Sequence, residues 1–319
     1  MTPTHPFDNA IHLDTIDGNV RRGRTHPEWA NMVGPFGGIT AAVMLRAIET
    51  QPDRIGEPLA LTVNFTAPIA DGDFDISLRA AHTNRTNQHW IAELSQDGAV
   101  TTTATAVFGD RRDTWSSTEA HPPTAPPPEQ LIPGSPGPGD FIAWARLYDM
   151  RFVEGAFPGE HAQPNRSSMS ALWMRDSAQR PVDYPALAAL CDTFYPRVFL
   201  RRSGIIPSGT ISLTTYFHAD QQQLDALGGD YVLGTAHANR FSGGYFDQSA
   251  QLWTRDRTLL ATSHQIVYFK GQRSDAANSF QRAPAGAPRD ADHRSARLSR
   301  HARRVYGTAT PPKIQLRFT

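Results

Sequence analysis

Two near-identical pentapeptides, AHTNR at 81–85 and AHANR at 236–240, each bring a histidine, an asparagine and an arginine together. Histidine can move protons at neutral pH, and arginine can grip anionic oxygens. Written twice in one chain, however, the five residues read as a shared structural device at the end of a strand. His218 and His264 read as strand residues rather than bases. The single cysteine, Cys191, excludes an internal disulfide, and no Cys/His pair stands at zinc-ligand spacing. It sits among apolar residues and reads as core. No GxSxG nucleophile elbow is present, and the glycine-rich stretches match neither GxxxxGK[ST] nor GxGxxG. Serine hydrolases of the elbow type are therefore disfavoured, and no nucleotide, redox or metal cofactor is expected.

The elements around the two pentapeptides follow one order twice. GPFGGITAAVMLRAIE (34–49) has helical spacing and opens on Gly37–Gly38; LALTVNFTAP, DFDISLRAAHTNR and HWIAELSQDGAVTTTATAVFG then read as strands. Asp97–Gly98 marks a two-residue hairpin. In the second half PVDYPALAALCDTFYP (181–196) is the helix, with Asp183 as N-cap, Pro185 in the first turn and Pro196 as stop. TISLTTYFHAD, YVLGTAHANR and YFDQSAQLWTRDRTLLATSHQIVYFK are its strands. Each unit is one helix of about four turns followed by an antiparallel meander, which predicts an α+β tandem (double) hotdog: two antiparallel sheets, each wrapping one long helix. The expected divisions are an N-terminal hotdog over 1–120, a linker over 121–139, a C-terminal hotdog over 140–270 and a tail over 271–319. The linker holds eight prolines in 19 residues and reads as a stiff, extended spacer.

Hydrophobic residues make up 39% of the 319, enough for a sizeable core. The 31 basic and 31 acidic residues cancel, so nothing draws the whole chain to nucleic acid or acidic lipid. The tail is the exception. It carries ten Lys and Arg against three Asp, seven charges positive, with few large apolar residues, and reads as a disordered extension. No aromatic RNA-binding motif or helix-turn-helix pattern accompanies it, so no nucleic-acid partner is expected. No run of about 20 apolar residues predicts a membrane span. The start lacks the basic end and apolar run of a secretory signal, so a cytoplasmic protein is expected.

Four stretches, PFGGITAA, LAALCDTFYPRVF, PSGTISLTTYFHAD and GGYFDQSAQLWTRDRTLLATSHQIVYF, resemble the acyl-CoA thioesterase II type of double-hotdog protein, and the thioesterase-like proteins of actinobacteria more closely still. The resemblance spans roughly 20–270 and leaves the tail out. It implies hydrolysis of acyl-CoA to free acid and CoA, a part in fatty acid metabolism, and a water held by an Asp, a Thr and a Gln. Matched residue by residue, these fall on Asp192, Thr210 and Gln265. His264 beside the Gln and Ser212 beyond the Thr depart from the usual surroundings.

Those residue types suit the reaction the resemblance implies. Asp192 can take a proton from water as general base, and burial should raise its pKa. Thr210 and Gln265 offer the donors and acceptors that fix a water. Free amides at the Gly37–Gly38 helix start would hold the oxyanion, since glycine allows close approach. The repeat predicts one site rather than two. Counting back from Phe108 and Phe269 sets Ala104 against Gln265 and Pro58 against Thr210, while Arg46 and Ala47 lie near the place of Asp192. Val43, Met44, Leu187, Leu213 and Trp253 could line an acyl tunnel or simply fill the core, and Arg240 could meet a CoA phosphate. A non-catalytic acyl-CoA or lipid-binding protein is the alternative function. A hotdog hydratase fits less well, because Asp192 has no histidine on its helix. Exposed sheet edges allow a homo-oligomer.

Overall fold

In the computed structural model, residues 5–134, 142–158, 163–202 and 204–270 are described. The tail over 271–319 and its expected disorder lie outside them. The strands are β1 (Asp14–Thr15), β2 (Val20–Arg24), β3 (Glu57–Phe65), β4 (Asp73–Thr83), β5 (Asn87–Gln96), β6 (Ala99–Gly109), β7 (Tyr148–Glu154), β8 (Ser170–Asp176), β9 (Ser208–Phe217), β10 (Val232–His237), β11 (Phe241–Ser242), β12 (Tyr245–Trp253) and β13 (Leu259–Phe269). The helices are α1 (Pro6–Ala10), α2 (Gly37–Glu49), α3 (Tyr184–Leu190), α4 (Val198–Arg202) and α5 (Gln221–Leu227).

All thirteen strands belong to one antiparallel sheet, ordered β1-β2-β4-β5-β6-β3-β9-β13-β12-β10-β8-β7, with β11 beside β12. The two expected sheets are therefore one. The join is β3 against β9, and it is centred on equivalent residues: Thr62 of LALTVNF faces Thr214 of ISLTTYF, their hydroxyls 2.9 Å apart. The edge each half leaves open is closed by the other. Outward from this seam each half repeats one order, β3-β6-β5-β4 and β9-β13-β12-β10.

The hairpin at Asp97–Gly98 forms as the sequence predicts, both residues at positive φ (50° and 78°), the type I′ conformation that matches strand twist. The pentapeptides close strand ends in both halves. Asn84 Nδ2 donates to Asn87 Oδ1 at 2.7 Å, and the Asn239 and Arg240 amides both donate to the Asp247 carboxylate.

Helix α2 fulfils the expected span. Its residues Ala41, Ala42, Met44, Leu45, Ala47 and Ile48 are all fully buried, and α2 packs directly on α3. The second helix is shorter than expected. Asp183 caps it, accepting from the Ala186 amide at 2.9 Å, but the α-helix ends at Leu190. There the bonds tighten to Asp192 N→Ala189 O (3.1 Å) and Thr193 N→Leu190 O (3.3 Å), the usual 3₁₀ closure of a last turn. Asp192 thus sits just past the helix rather than on it.

The proline-rich segment also differs from its expected role. Its described part docks on the second half: the Trp173 indole donates to Pro126 O at 2.8 Å, Arg151 to Pro128 O at 2.9 Å, and Ala125 and Leu131 pack on Trp173 and Trp253. Proline removes donors but leaves carbonyls, and these carbonyls anchor it. Among the described residues no helix is long and apolar enough to cross a membrane.

Candidate active site

The sequence-predicted polar residues come from three elements and meet in one place. Asp192 leaves the α3 terminus, Thr210 lies near the start of β9, and Gln265 stands in mid-β13. Gln265 Nε2 donates to Asp192 Oδ1 at 2.9 Å, and Thr210 Oγ1 donates to Gln265 Oε1 at 3.0 Å. The carboxylate only accepts, so the amide's orientation is fixed and the hydroxyl proton must point to its oxygen.

Simple alternation would turn Thr210 away from this cluster. In β9, Leu213, Thr215 and Phe217 face the core, and an even position belongs to the other face. A β-bulge resolves the conflict. The ladder steps from Ile266↔Ser212 to Val267↔Thr210, leaving Ile211 unpaired and exposed. Such an extra residue re-aims the side chains beyond it, and Thr210 comes to line the same cavity as Val267.

The carboxylate of Asp192 lies against the start of α2. A Cβ on Gly37 would stand 2.6 Å from Asp192 Oδ2. A Cβ on Gly38 would meet the Phe36 ring at 2.4 Å and Ala189 O at 2.6 Å. The glycine doublet is therefore what lets the second half's carboxylate reach the first half's helix. The N-cap Phe36 has no side-chain acceptor of its own, so α2 begins with open amides and a partial positive charge. One of the two amides expected to serve an oxyanion, that of Gly38, lies near enough to the carboxylate to favour its ionised form. Burial pushes the Asp192 pKa up to about 7, with the Gln265 hydrogen bond and the Gly38 amide pulling the other way.

Beside this cluster opens a cavity of about 320 Å³. Its walls are largely aromatic: Phe36 stacks on Trp144 with centroids 4.0 Å apart, and Phe157 meets Tyr195 and Phe199 edge-on. Val43, Met44, Leu187, Leu213 and Trp253 do not line it. Val43, Met44, Leu187 and Leu213 fill the core where α2, α3 and the sheet pack, whereas Trp253 packs with Trp173 and Tyr231 beneath the proline-rich segment. Cys191 is fully buried as core, and burial drives its thiol up to about 12, far from a nucleophile's range. Among the described residues no group of three His, Cys, Asp or Glu side chains is placed to hold a metal.

Two polar residues of the region escaped the sequence reading, Gln248 and Arg197. Gln248 lines the cavity, and Arg197 is wholly buried behind it. Gln248 left a trace, as the one amide among the inward positions Phe246, Gln248, Ala250 and Leu252 of β12. Arg197 left none, since an arginine after a proline ordinarily reads as surface.

Two family models match the chain: acyl-CoA thioesterase N-terminal domain over residues 25–109, and acyl-CoA thioesterase C-terminal domain over 118–269. Among solved structures, a conserved protein of unknown function with a hot dog fold from Alicyclobacillus acidocaldarius is 46% identical. It matches over 85% of this chain and all of its own, with a TM-score of 0.80. An acyl-CoA thioesterase II, TesB2, from Mycobacterium marinum is 18% identical, over 83% of this chain and 98% of its own, with a TM-score of 0.66. A tesB protein of Mycobacterium avium subsp. paratuberculosis is 19% identical over the same shares, with a TM-score of 0.68. These last two likenesses speak for the fold alone. No curated protein sequence matches.

Proposed function

The chain belongs to the acyl-CoA thioesterase family of the thioesterase II type, and from that premise we propose that it hydrolyses acyl-CoA thioesters with a water held by Asp192, Thr210 and Gln265. The observation that carries this reading is the hydrogen-bonded series Thr210→Gln265→Asp192 at the wall of an apolar cavity. In this reading the two halves act as paired hotdogs, the second supplying the base and the first the helix start that faces it.

The chemistry follows from the geometry. The Asp192 carboxylate, with a pKa of about 7, is a base near neutrality and is matched to the task of taking a proton from water. The water's oxygen forms a C–O bond to the thioester carbonyl carbon, and the carbonyl electrons move to oxygen. When the carbonyl re-forms, the C–S bond breaks and the departing thiolate receives the proton held by Asp192. Free acid and CoA result. The Gly37 amide, at the same helix start, is the donor proposed for the oxyanion from the first half. Thr210 and Gln265 hold water and carboxylate in register, and such positioning accounts for several kcal/mol of barrier. The cavity takes the acyl group.

The test is steady-state release of free thiol from an acyl-CoA series, for wild type and for Asp192→Asn. Wild type should turn over medium-length acyl-CoAs and the variant should not. Equal residual rates in the two would leave a binding protein in place of the enzyme.

A further inference from the structure

We propose that Gln248 is a second donor to the thioester carbonyl, held in place by the buried guanidinium of Arg197. This rests on the hydrolytic reading of the site, in which the Gly37 amide is one donor to the oxyanion and Gln248 adds another. Oxyanion sites draw on preorganised N–H groups aimed at the developing charge.

Gln248 is buried, at 2% exposure, and lines the cavity. It is the direct cross-strand partner of Gln265, so the two side chains stand side by side, with Cβ atoms about 5 Å apart. Gln265 uses both ends of its amide on protein partners, Thr210 and Asp192. Gln248 uses one: its Oε1 accepts from Arg197 Nε at 3.1 Å. An arginine has only donors, so the amide oxygen must face it. The Nε2 group is then turned the other way, with no acceptor among the described residues, at the wall of the cavity that in this reading receives the acyl thioester.

Arg197 supports that orientation. It is completely buried, and among the described residues no carboxylate pairs with it. Its donors go to Tyr195 O, Ser168 O, Ser170 Oγ and Gln248 Oε1. Burial lowers its pKa only to about 10, so it stays charged at neutral pH. A buried charge without a counter-ion is costly, and this one has an evident use: it polarises the Gln248 amide toward the cavity, where negative charge develops on the carbonyl oxygen. Arg197 is thus a positioning residue, and Gln248 touches the reacting group.

The experiment compares wild type with Gln248→Glu and Gln248→Met. Glutamate keeps the acceptor for Arg197 but offers the carbonyl no N–H; methionine keeps the volume and offers neither. Three CoA probes are used: octanoyl-CoA, its thioether (C=O replaced by CH₂) and its ketone (S replaced by CH₂). Octanoyl-CoA turnover should fall about 10²- to 10³-fold in both variants, the usual loss for one oxyanion donor, with KM little changed. Wild type should bind the ketone more tightly than the thioether, and the variants should lose about tenfold of that preference, roughly one net hydrogen bond. Undiminished thioether binding marks an intact cavity; if one substitution loses it, the other is read. Arg197→Lys should lower turnover about tenfold, and should add nothing to Gln248→Met, as expected of a residue acting through Gln248.

Variants that keep turnover within threefold and keep the ketone preference overturn the Gln248 assignment while leaving hydrolysis standing. A wild type that hydrolyses nothing, yet loses its ketone preference with Gln248, overturns hydrolysis and keeps Gln248 as the carbonyl donor.

Discussion

The starts of the paired helices α2 and α3 are finished differently. At α3 the chain seals its own end: Asp183 accepts from the Ala186 amide at 2.9 Å and pairs with Arg180 at 2.6 Å. At α2 the N-cap is Phe36, which offers no acceptor, and the acceptor arrives from the other half as Asp192. The bulge that presents Thr210 has a twin in the first half, where the ladder steps from Ala60↔Val107 to Pro58↔Phe108. That twin presents Pro58, which has neither hydroxyl nor N–H. The sheet ladders also refine the sequence count. Gln265 faces Leu213 as Ala106 faces Leu61, so the counterpart of Gln265 is Ala106, two residues from the expected Ala104. Either alanine leaves that half without an amide. The two halves thus share a strand order, and the polar trio stands on one of them only, with its carboxylate against the other's helix start.

The sharpest way to break this asymmetry is to compare carboxylates. Asp192→Asn should lower turnover of a medium-length acyl-CoA about 10³-fold, within the range for losing a general base. Glu49 is the control. It too is a desolvated carboxyl at a helix end, with a pKa pushed up to about 7 and Arg46 at 3.4 Å, but it belongs to the half read as inactive. Glu49→Gln should leave turnover within twofold, by free-thiol release. A comparable loss in both variants would mean two working sites.

The glycine doublet separates contact with the base from packing. At Gly37 the added methyl meets only Asp192 Oδ2 closely, with Phe65 next at 3.3 Å. Gly37→Ala should therefore displace the carboxylate and lower turnover about 10²-fold while leaving the melting temperature within a few degrees. At Gly38 the methyl meets the backbone carbonyl of Ala189 at 2.6 Å, and the helices themselves must part. Gly38→Ala should cost about 1–3 kcal/mol of stability, read by chemical denaturation, despite alanine's better helix propensity. If the two effects exchange places, the carboxylate is not held at Gly37.

How far the sequence made this legible differs by residue. The β-meanders, the α2 span, the Asp183 cap and the Asp97–Gly98 turn follow from local chemistry and were readable. So was the repeat, and with it the expectation of a single polar trio. The union into one sheet was not readable, because edge pairing between β3 and β9 is a long-range choice with no local signal. The facing of Thr210 depended on a bulge, which alternation misreads. Trp144 and Phe36 as cavity walls, and Arg197 behind Gln248, depend on how separate elements meet, which no spacing along the chain records.

Gln265→Leu tests the trio from a second side. It removes one hydrogen bond that favours the ionised form of Asp192, so the carboxyl should become a weaker acid. Turnover should fall about 10- to 50-fold, and the rising limb of the rate–pH profile should move to higher pH than in wild type, where it centres near 7. Ala106→Ser, at the matching place in the other half, should move neither rate nor profile.

In one respect the two halves behave alike. Asp192 and Glu49 both carry folded-state pKa values of about 7, against ordinary values of 3.8 and 4.5. Between those limits the folded protein binds protons that the unfolded chain has released, so stability falls as pH rises through this window. Wild type should lose roughly 2–3 kcal/mol from each group between pH 5 and pH 8, measured by denaturant midpoints at fixed ionic strength. Asp192→Asn and Glu49→Gln should each flatten about half of that slope, and the double variant nearly all of it. Only one of the two carboxyls then yields turnover for its cost in stability. A steep slope surviving in Asp192→Asn and absent in Glu49→Gln would place the desolvated charge in the other half and take from Asp192 the raised pKa that suits it to be a base.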